Sequence, residues 1–236
     1  MFLPGFIVIF AFFCESIFGF GGGLISIPLL STLGNVKNTV LFVLIFQLLM
    51  GFVTYKNLKE ADWEILKKIG LGIIIGVTLG SLNLRFASDS VLGKILGITI
   101  AAVLIKSVFF AKFTIKPGSK VLETLLGIIG GYLQGVIGTG GPIFTMYLIN
   151  TTVSKQTFRA TLMVIFFATS IYRFLFGLAY QPQYSDVVFS ALPIIPIFVV
   201  VTLLGNRLAG KIPDKYFRYG IHVLHFFTCL NLLLRP

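Results

Sequence analysis

Apolar positions run along this chain in stretches of helix length, and short connectors between them carry most of the charge. Six stretches are long enough to cross a ~30 Å hydrocarbon layer as ordinary helices. They are Thr39–Tyr55, Ile65–Leu84, Val91–Ala111, Ala160–Tyr180, Val187–Ala209 and Phe217–Leu234. Gly72, Gly76 and Gly80 fall at i, i+4, i+8 in the second, and Gly93 and Gly97 repeat that spacing in the third. Such small-residue faces predict close helix packing in lipid. Pro193 and Pro196 each remove a backbone donor, which predicts a kink in the segment that holds them.

Two further apolar segments are interrupted. Residues 1–33 hold an apolar leg, then Gly19-Phe20-Gly21-Gly22-Gly23, then a short leg Leu24–Leu33 containing Pro28. Residues 121–149 repeat the plan, with Gly138-Thr139-Gly140-Gly141-Pro142 between an apolar leg and Ile143–Ile149. Clustered glycine and proline break a helix, and the exposed backbone is tolerable at that depth only inside protein or against a polar cavity. A shift of 119 residues places Glu15 on Gln134, Gly19 on Gly138, Gly21 on Gly140 and Gly22 on Gly141. Farther along, a shift of 125 places Gly80-Ser81 on Gly205-Asn206. The chain therefore reads as a duplication: residues 1–115 and 116–236 each hold one broken segment followed by three plain spans.

Composition fixes the solvent. Of 236 residues, 56% are apolar and 11% charged, against about 25% charged in soluble domains. That excludes a soluble enzyme, a disordered chain and a disulfide scaffold; Cys14 and Cys229 read as free thiols, and Met1–Phe18 lacks the basic start of a cleavable signal. The net charge of +11 lies in connector clusters, so membrane orientation explains it without a nucleic-acid partner. Setting aside Lys106 and Arg173, which lie within spans, 17 of the 19 basic residues remain. If the broken segments crossed as ordinary helices, the two sides would carry 8 and 9. If each is a re-entrant hairpin, one side collects 13, including Lys56, Lys59, Lys67, Lys68, Lys155 and Arg159, and the other keeps Lys37, Arg85, Lys94 and Arg235. The hairpin arrangement gives the positive-inside pattern. The expected fold is an all-α polytopic membrane protein of two inverted repeats, each a Gly-broken re-entrant hairpin plus three transmembrane helices, with both termini outside the cell membrane.

Inverted repeats with discontinuous helices at matching positions point to a secondary transporter with its site near the midplane. A half-helix starting at either glycine run aims free N–H groups and a partial positive charge at that centre. Glycine admits an anion close to the backbone, and proline suits a first helical turn. Gly19, Gly21, Gly22, Gly23, Gly138, Thr139, Gly140, Gly141 and Pro142 are the candidate anion cradle; tight packing of two hairpins is the alternative. Gln47 and Gln134 either donate to an oxyanion or bond neighbouring helices. Arg173, deep in a span, is an anion ligand, a partner of Glu15, or a snorkelling side chain. Glu15 is the candidate proton carrier, because burial penalises its charged form. His222 and His225, three apart on one helix face, read as packing residues or a proton-coupling pair.

Glu15-Ser-Ile-Phe-Gly-Phe-Gly-Gly-Gly-Leu-Ile-Ser-Ile-Pro28 and Gln134-Gly-Val-Ile-Gly-Thr-Gly-Gly-Pro142 resemble the motifs of the TauE/SafE family of small membrane carriers. The likeness covers essentially the whole chain, and it implies sulfite, sulfonates or related organosulfur anions as substrate. Pro142 stands where many relatives continue a glycine run. The expected function is thus a secondary carrier of small anions, with an anion-selective channel using the same glycine loops as the alternative. No nucleophile, base and metal cluster marks an enzyme, no Gly-x-x-x-x-Gly-Lys-[Ser/Thr] loop marks an ATP-driven pump, and no cofactor or metal is implied. The expected partners are the bilayer, a small anion, coupled protons and, as an open alternative, further copies of the chain.

Overall fold

The computed structural model describes residues 2–109, 118–149, 151–152, 154–180 and 184–213. Ten α-helices follow one another among them: α1 (Phe2–Phe18), α2 (Gly22–Leu30), α3 (Val36–Val53), α4 (Trp63–Phe86), α5 (Asp89–Phe109), α6 (Lys120–Ile137), α7 (Gly141–Leu148), α8 (Lys155–Tyr180), α9 (Tyr184–Ala191) and α10 (Ile195–Lys211). Polar caps mark several starts: Asn35 accepts from Asn38 N–H, Asp62 from Glu64 and Ile65, and Ser119 from Leu122. Among the described residues, five segments are long and apolar enough to cross a membrane, namely Val36–Val53, Trp63–Phe86, Lys120–Ile137, Lys155–Ala179 and Asp186–Lys211. The chain is a helical membrane protein. The span expected at Phe217–Leu234, with His222, His225 and Cys229, lies outside the described residues.

The interrupted segments each form a long leg and a short one. At 1.5 Å per residue, α1 is about 25 Å long and α2 about 13 Å. The short legs fold back along the long ones. Gly22, at the start of α2, lies against Phe12 and Glu15 of α1, while Phe144 of α7 lies against Gly130 of α6. The span expected at Val187–Ala209 is divided, because Pro193 sits in a 3-10 turn, Leu192–Ile194, between α9 and α10.

Helix packing exchanges partners between the halves: α1 packs on α10, α6 on α4, and α3 on α8. The α4–α6 contact is backbone against backbone. Gly72, Gly76 and Gly80 face the main chain of Thr124, Ile128 and Tyr132, and Gly127, Gly131 and Gly135 of α6 face that of Ile69, Ile73 and Val77. A Cβ added at Gly131 or Gly135 would stand 2.6 Å from a carbonyl oxygen. The opposite face of α4 exposes Leu71, Ile74, Leu79 and Leu82, as a lipid-facing surface requires. Gly93 and Gly97 correct the expectation drawn from their spacing: a Cβ there meets nothing within 4 Å among the described residues. Spacing alone does not make a packing face, which also needs a partner stripe such as α6 offers α4.

This contrast is testable. Gly76→Leu and Gly131→Leu should each cost more than the ~1–3 kcal/mol of ordinary overpacking, because rigid backbone cannot give way. Gly97→Leu should leave stability unchanged. Thermal unfolding in detergent, read by fluorescence-detected size exclusion, separates the two classes.

Candidate functional site

The centre of the molecule is where the two glycine turns meet. In the first, Gly19 closes α1, its N–H donating to the carbonyl of Glu15 at 2.7 Å. In the second, Gly138 closes α6 in the same way, donating to the carbonyl of Gln134 at 3.0 Å. These duplicated residues take φ of +85° and +65°, left-handed values that favour glycine. Beyond each turn the chain starts a short helix whose first N–H groups need acceptors. The side chain of Glu15 supplies one, its Oε2 accepting from Gly22 N–H at 2.7 Å. Gln134 does the same for the second half, its Oε1 accepting from Gly140 N–H at 3.0 Å. Both side chains therefore reach forward from the long leg to cap the short one.

Electrostatics separates the two caps. Glu15 is 3% exposed, and its carboxylate already stands at the positive end of α2. A Cβ on Gly22 would run into that carboxylate and into Phe12. At α7 the cap is a neutral amide, and its Nε2 has no hydrogen-bond partner among the described residues. Thr139 Oγ1, 2% exposed in the same turn, also lacks one. Two buried donors therefore stand at the start of α7. Each unpaired buried donor costs roughly 1–3 kcal/mol, a cost that an incoming acceptor removes.

Further contacts tie the turns together. Gly23 backs onto the carbonyl of Gly138, with Gln47 beside it. Gln47 Nε2 donates to that carbonyl at 3.0 Å, and Arg173 Nη1 donates to Gln47 Oε1 at 3.1 Å. The guanidinium thus reaches the second turn directly and through an amide; a Cβ on Gly138 would lie 3.3 Å from Arg173 Nη1. Glu15 Oε2 thus engages Gly22 N–H, and Arg173 Nη1 engages Gln47 Oε1. Phe20 of the first turn is fully buried against Gly141, and Pro142 sits in the first turn of α7, its carbonyl accepting from Thr145 Oγ1 at 3.0 Å. Gly21, in a left-handed conformation, precedes α2, and its carbonyl accepts from Ile25 N–H at 2.9 Å. Glu15, Gln47, Gln134, Arg173 and the two glycine runs therefore lie in or beside one buried knot of two turns.

The glycines there serve different ends. A Cβ on Gly140 would strike the carbonyl of Gly130, so Gly140 is needed for packing. A Cβ on Gly141 would make only ordinary contacts at 3.5 Å with Phe20 and Phe166. Arg159 was read as a connector base, yet it is buried in α8 beside Gly19. Its signal was present in the sequence: Arg159 and Arg173 are 14 residues apart, nearly four turns, and share one helix face.

The caps predict a stability difference. Glu15→Leu should destabilise the protein by about 1–3 kcal/mol, leaving Gly22 N–H without its acceptor. Glu15→Gln should fold normally, since Gln134 performs the same capping with an amide. Melting temperatures of the two purified variants check this.

Comparison with known proteins adds the following. The profile of the family described as "Sulfite exporter TauE/SafE" matches residues 5–232. A "Probable sulfite/organosulfonate exporter TauE" of Cupriavidus necator is 27% identical over 208 residues, covering 82% of this chain and 78% of that protein. A "Probable membrane transporter protein" of Methanocaldococcus jannaschii is 25% identical over 227 residues, covering 86% of this chain and 84% of that protein. No solved structure matches.

Proposed function

The chain belongs to the TauE/SafE family of sulfite exporters, and from that premise we propose a secondary transporter of small anions of the sulfite and organosulfonate class. The proposed site is the start of α7, where Gln134 Nε2 and Thr139 Oγ1 await an acceptor within a ring of glycine backbone. That pair of buried, unsatisfied donors is the observation that carries the reading. A sulfur oxyanion presents several acceptor oxygens to them and to the N–H groups of the first turn of α7. Arg173, held through Gln47, adds positive charge from behind the turn.

Two inverted repeats with re-entrant hairpins are the arrangement we propose around this site. Its support is the exchange of partners, since the long leg of each half packs on a span of the other, α1 on α10 and α6 on α4. The division of basic residues, 12 to 4 once Arg159 is set aside as buried in α8, supports both termini outside the cell membrane. Close contact of the turns, Gly23 on Gly138 and Phe20 on Gly141, favours a carrier over an anion-selective channel. An anion passing this point must part the turns, which is the step that alternating access requires.

Glu15 is the residue we assign to proton coupling. Ionised, it holds the positive end of α2 as the protein's own anion. Protonated, it leaves that end uncompensated and attractive to the substrate, so that proton and anion move together. Arg159 bonds the carbonyl of Ser16 and makes no ion pair with the carboxylate.

Two outcomes are expected in proteoliposomes loaded with sulfite gradients. Gly141→Ala should match wild type in stability or exceed it by about 0.4–1 kcal/mol, because the methyl fits and restricts the unfolded chain. Its transport should fall at least tenfold, since the methyl covers the approach to α7; transport at wild-type rate would remove the α7 site. Glu15→Gln should exchange sulfite across the membrane but lose accumulation driven by a pH gradient. Accumulation that persists in this variant would remove Glu15 from coupling.

A further inference from the structure

The two turns are not the only parts of this molecule that the duplication makes equivalent. Gly19 and Gly138 correspond at one shift, and Ser81 and Asn206 at the other. Each glycine lies against an arginine of α8. A Cβ on Gly19 would stand 3.0–3.3 Å from the Cα, Cβ and Cγ of Arg159, and one on Gly138 would stand 3.3 Å from Arg173 Nη1. Each arginine also adjoins one of the duplicated polar residues. Arg159 Nη2 donates to Asn206 Oδ1 at 2.9 Å, while Arg173 and Ser81 line one small, partly open pocket with Leu41, Leu44 and Gly177. The set Gly19, Arg159, Asn206 therefore mirrors the set Gly138, Arg173, Ser81.

Arg159 is the less expected member. It is 7% exposed, within a membrane-spanning helix, where a charge is expensive. Its partners are neutral: the carbonyl of Ser16 at 2.6 Å and the amide oxygen of Asn206, which Asn57 Nδ2 also engages at 2.7 Å. It forms no ion pair with a described residue, the exposed Glu60 adding only a field from the neighbouring turn, and its Nε–H has no acceptor. Among the described residues this buried guanidinium has a spare donor and no counter-ion, which suits it to receive one. At 1.5 Å per residue, the 14 residues between Arg159 and Arg173 put the two about 21 Å apart along α8, a large part of the ~30 Å hydrocarbon layer.

We infer that Arg159, with Asn206, forms a second oxyanion station, equivalent to the one at Arg173, through which the substrate passes at the membrane face bearing Lys56, Lys59, Lys67 and Lys68. The inference rests on the transport reading above and adds to it. Helix α8 then supplies one arginine to each side of the knot of turns. Whichever turn parts from α8 uncovers its own arginine, and an anion held there is handed across as that turn closes and the other opens. The substrate is a small anion with at least two acceptor oxygens, one for Nε–H and one for the Nη groups, as sulfite and sulfonates have.

The test measures sidedness. In proteoliposomes of uniform orientation, the KM for sulfite is determined separately at each face for wild type, Arg159→Gln, Arg159→Lys and Asn206→Ser, the last placing in one half the residue that the other half has. Arg159→Gln should raise KM at least tenfold at the Lys56–Lys68 face and change it less than twofold at the other. Arg159→Lys should recover part of that loss, and Asn206→Ser should shift the same face by a few-fold without loss of folded protein. Equal losses at both faces in Arg159→Lys and Asn206→Ser, or unchanged KM values throughout, overturn the second station while leaving the transport reading in place. Wild-type protein that moves no sulfite from either face overturns both.

Discussion

Inside a membrane, backbone that leaves the helix must find its hydrogen bonds within the protein. Everything distinctive in this structure follows from meeting that demand twice. Each break is closed on one side by a left-handed glycine and on the other by a side chain reaching forward from the preceding leg, Glu15 for α2 and Gln134 for α7. Because the breaks are capped by side chains rather than by water, the turns can be buried. Once buried, they can stack, with the carbonyl of Gly138 against Gly23 and shared with the amide of Gln47. The caps differ in chemistry, a carboxylate against an amide, and only the amide brings a donor of its own to the helix end.

Helix packing supplies the rigidity that such a knot needs. Lipid tails exert no hydrophobic pressure between helices, so contact area and closeness must do it. The facing glycines of α4 and α6 bring two backbones into direct contact, and α6 in turn carries Gln134 and Gly138. On the other flank Phe12, Phe46 and Phe198 form a cluster of tilted and edge-on rings that joins α1, α3 and α10. The long leg of the second broken segment is thus fixed by small residues and that of the first by aromatic ones.

Much of this was legible in the chain. Hydropathy and glycine clustering located both breaks and four of the six expected spans, those at Thr39–Tyr55, Ile65–Leu84, Ala160–Tyr180 and Val187–Ala209, since each depends on residues adjacent in sequence. The kink at Pro193 was legible for the same reason. What escaped depends on contacts far apart in the chain. Nothing local says that Gly97 faces no partner among the described residues while Gly76 faces Ile128, or that α1 chooses α10. Glu15 was recognised as a buried carboxyl, but its acceptor role toward Gly22 requires the chain to turn back, which spacing does not reveal. Arg159 was assigned to a connector because counting bases by span boundaries treats a helix's first turn as loop, whereas α8 starts at Lys155 and buries the guanidinium.

The exchange of partners between halves also dictates an order of assembly. Ribosomes deliver α1 long before α10, and α4 before α6, so two apolar legs enter the bilayer with their final neighbours not yet made. The glycine stripe of α4 presents carbonyl groups that α6 approaches closely, and α1 carries Ser16, whose carbonyl waits for Arg159 on a helix made much later. Neither half therefore completes its own structure during synthesis. Helices α1, α3 and α4 thus gain their close neighbours α10, α8 and α6 only once the second half has been made.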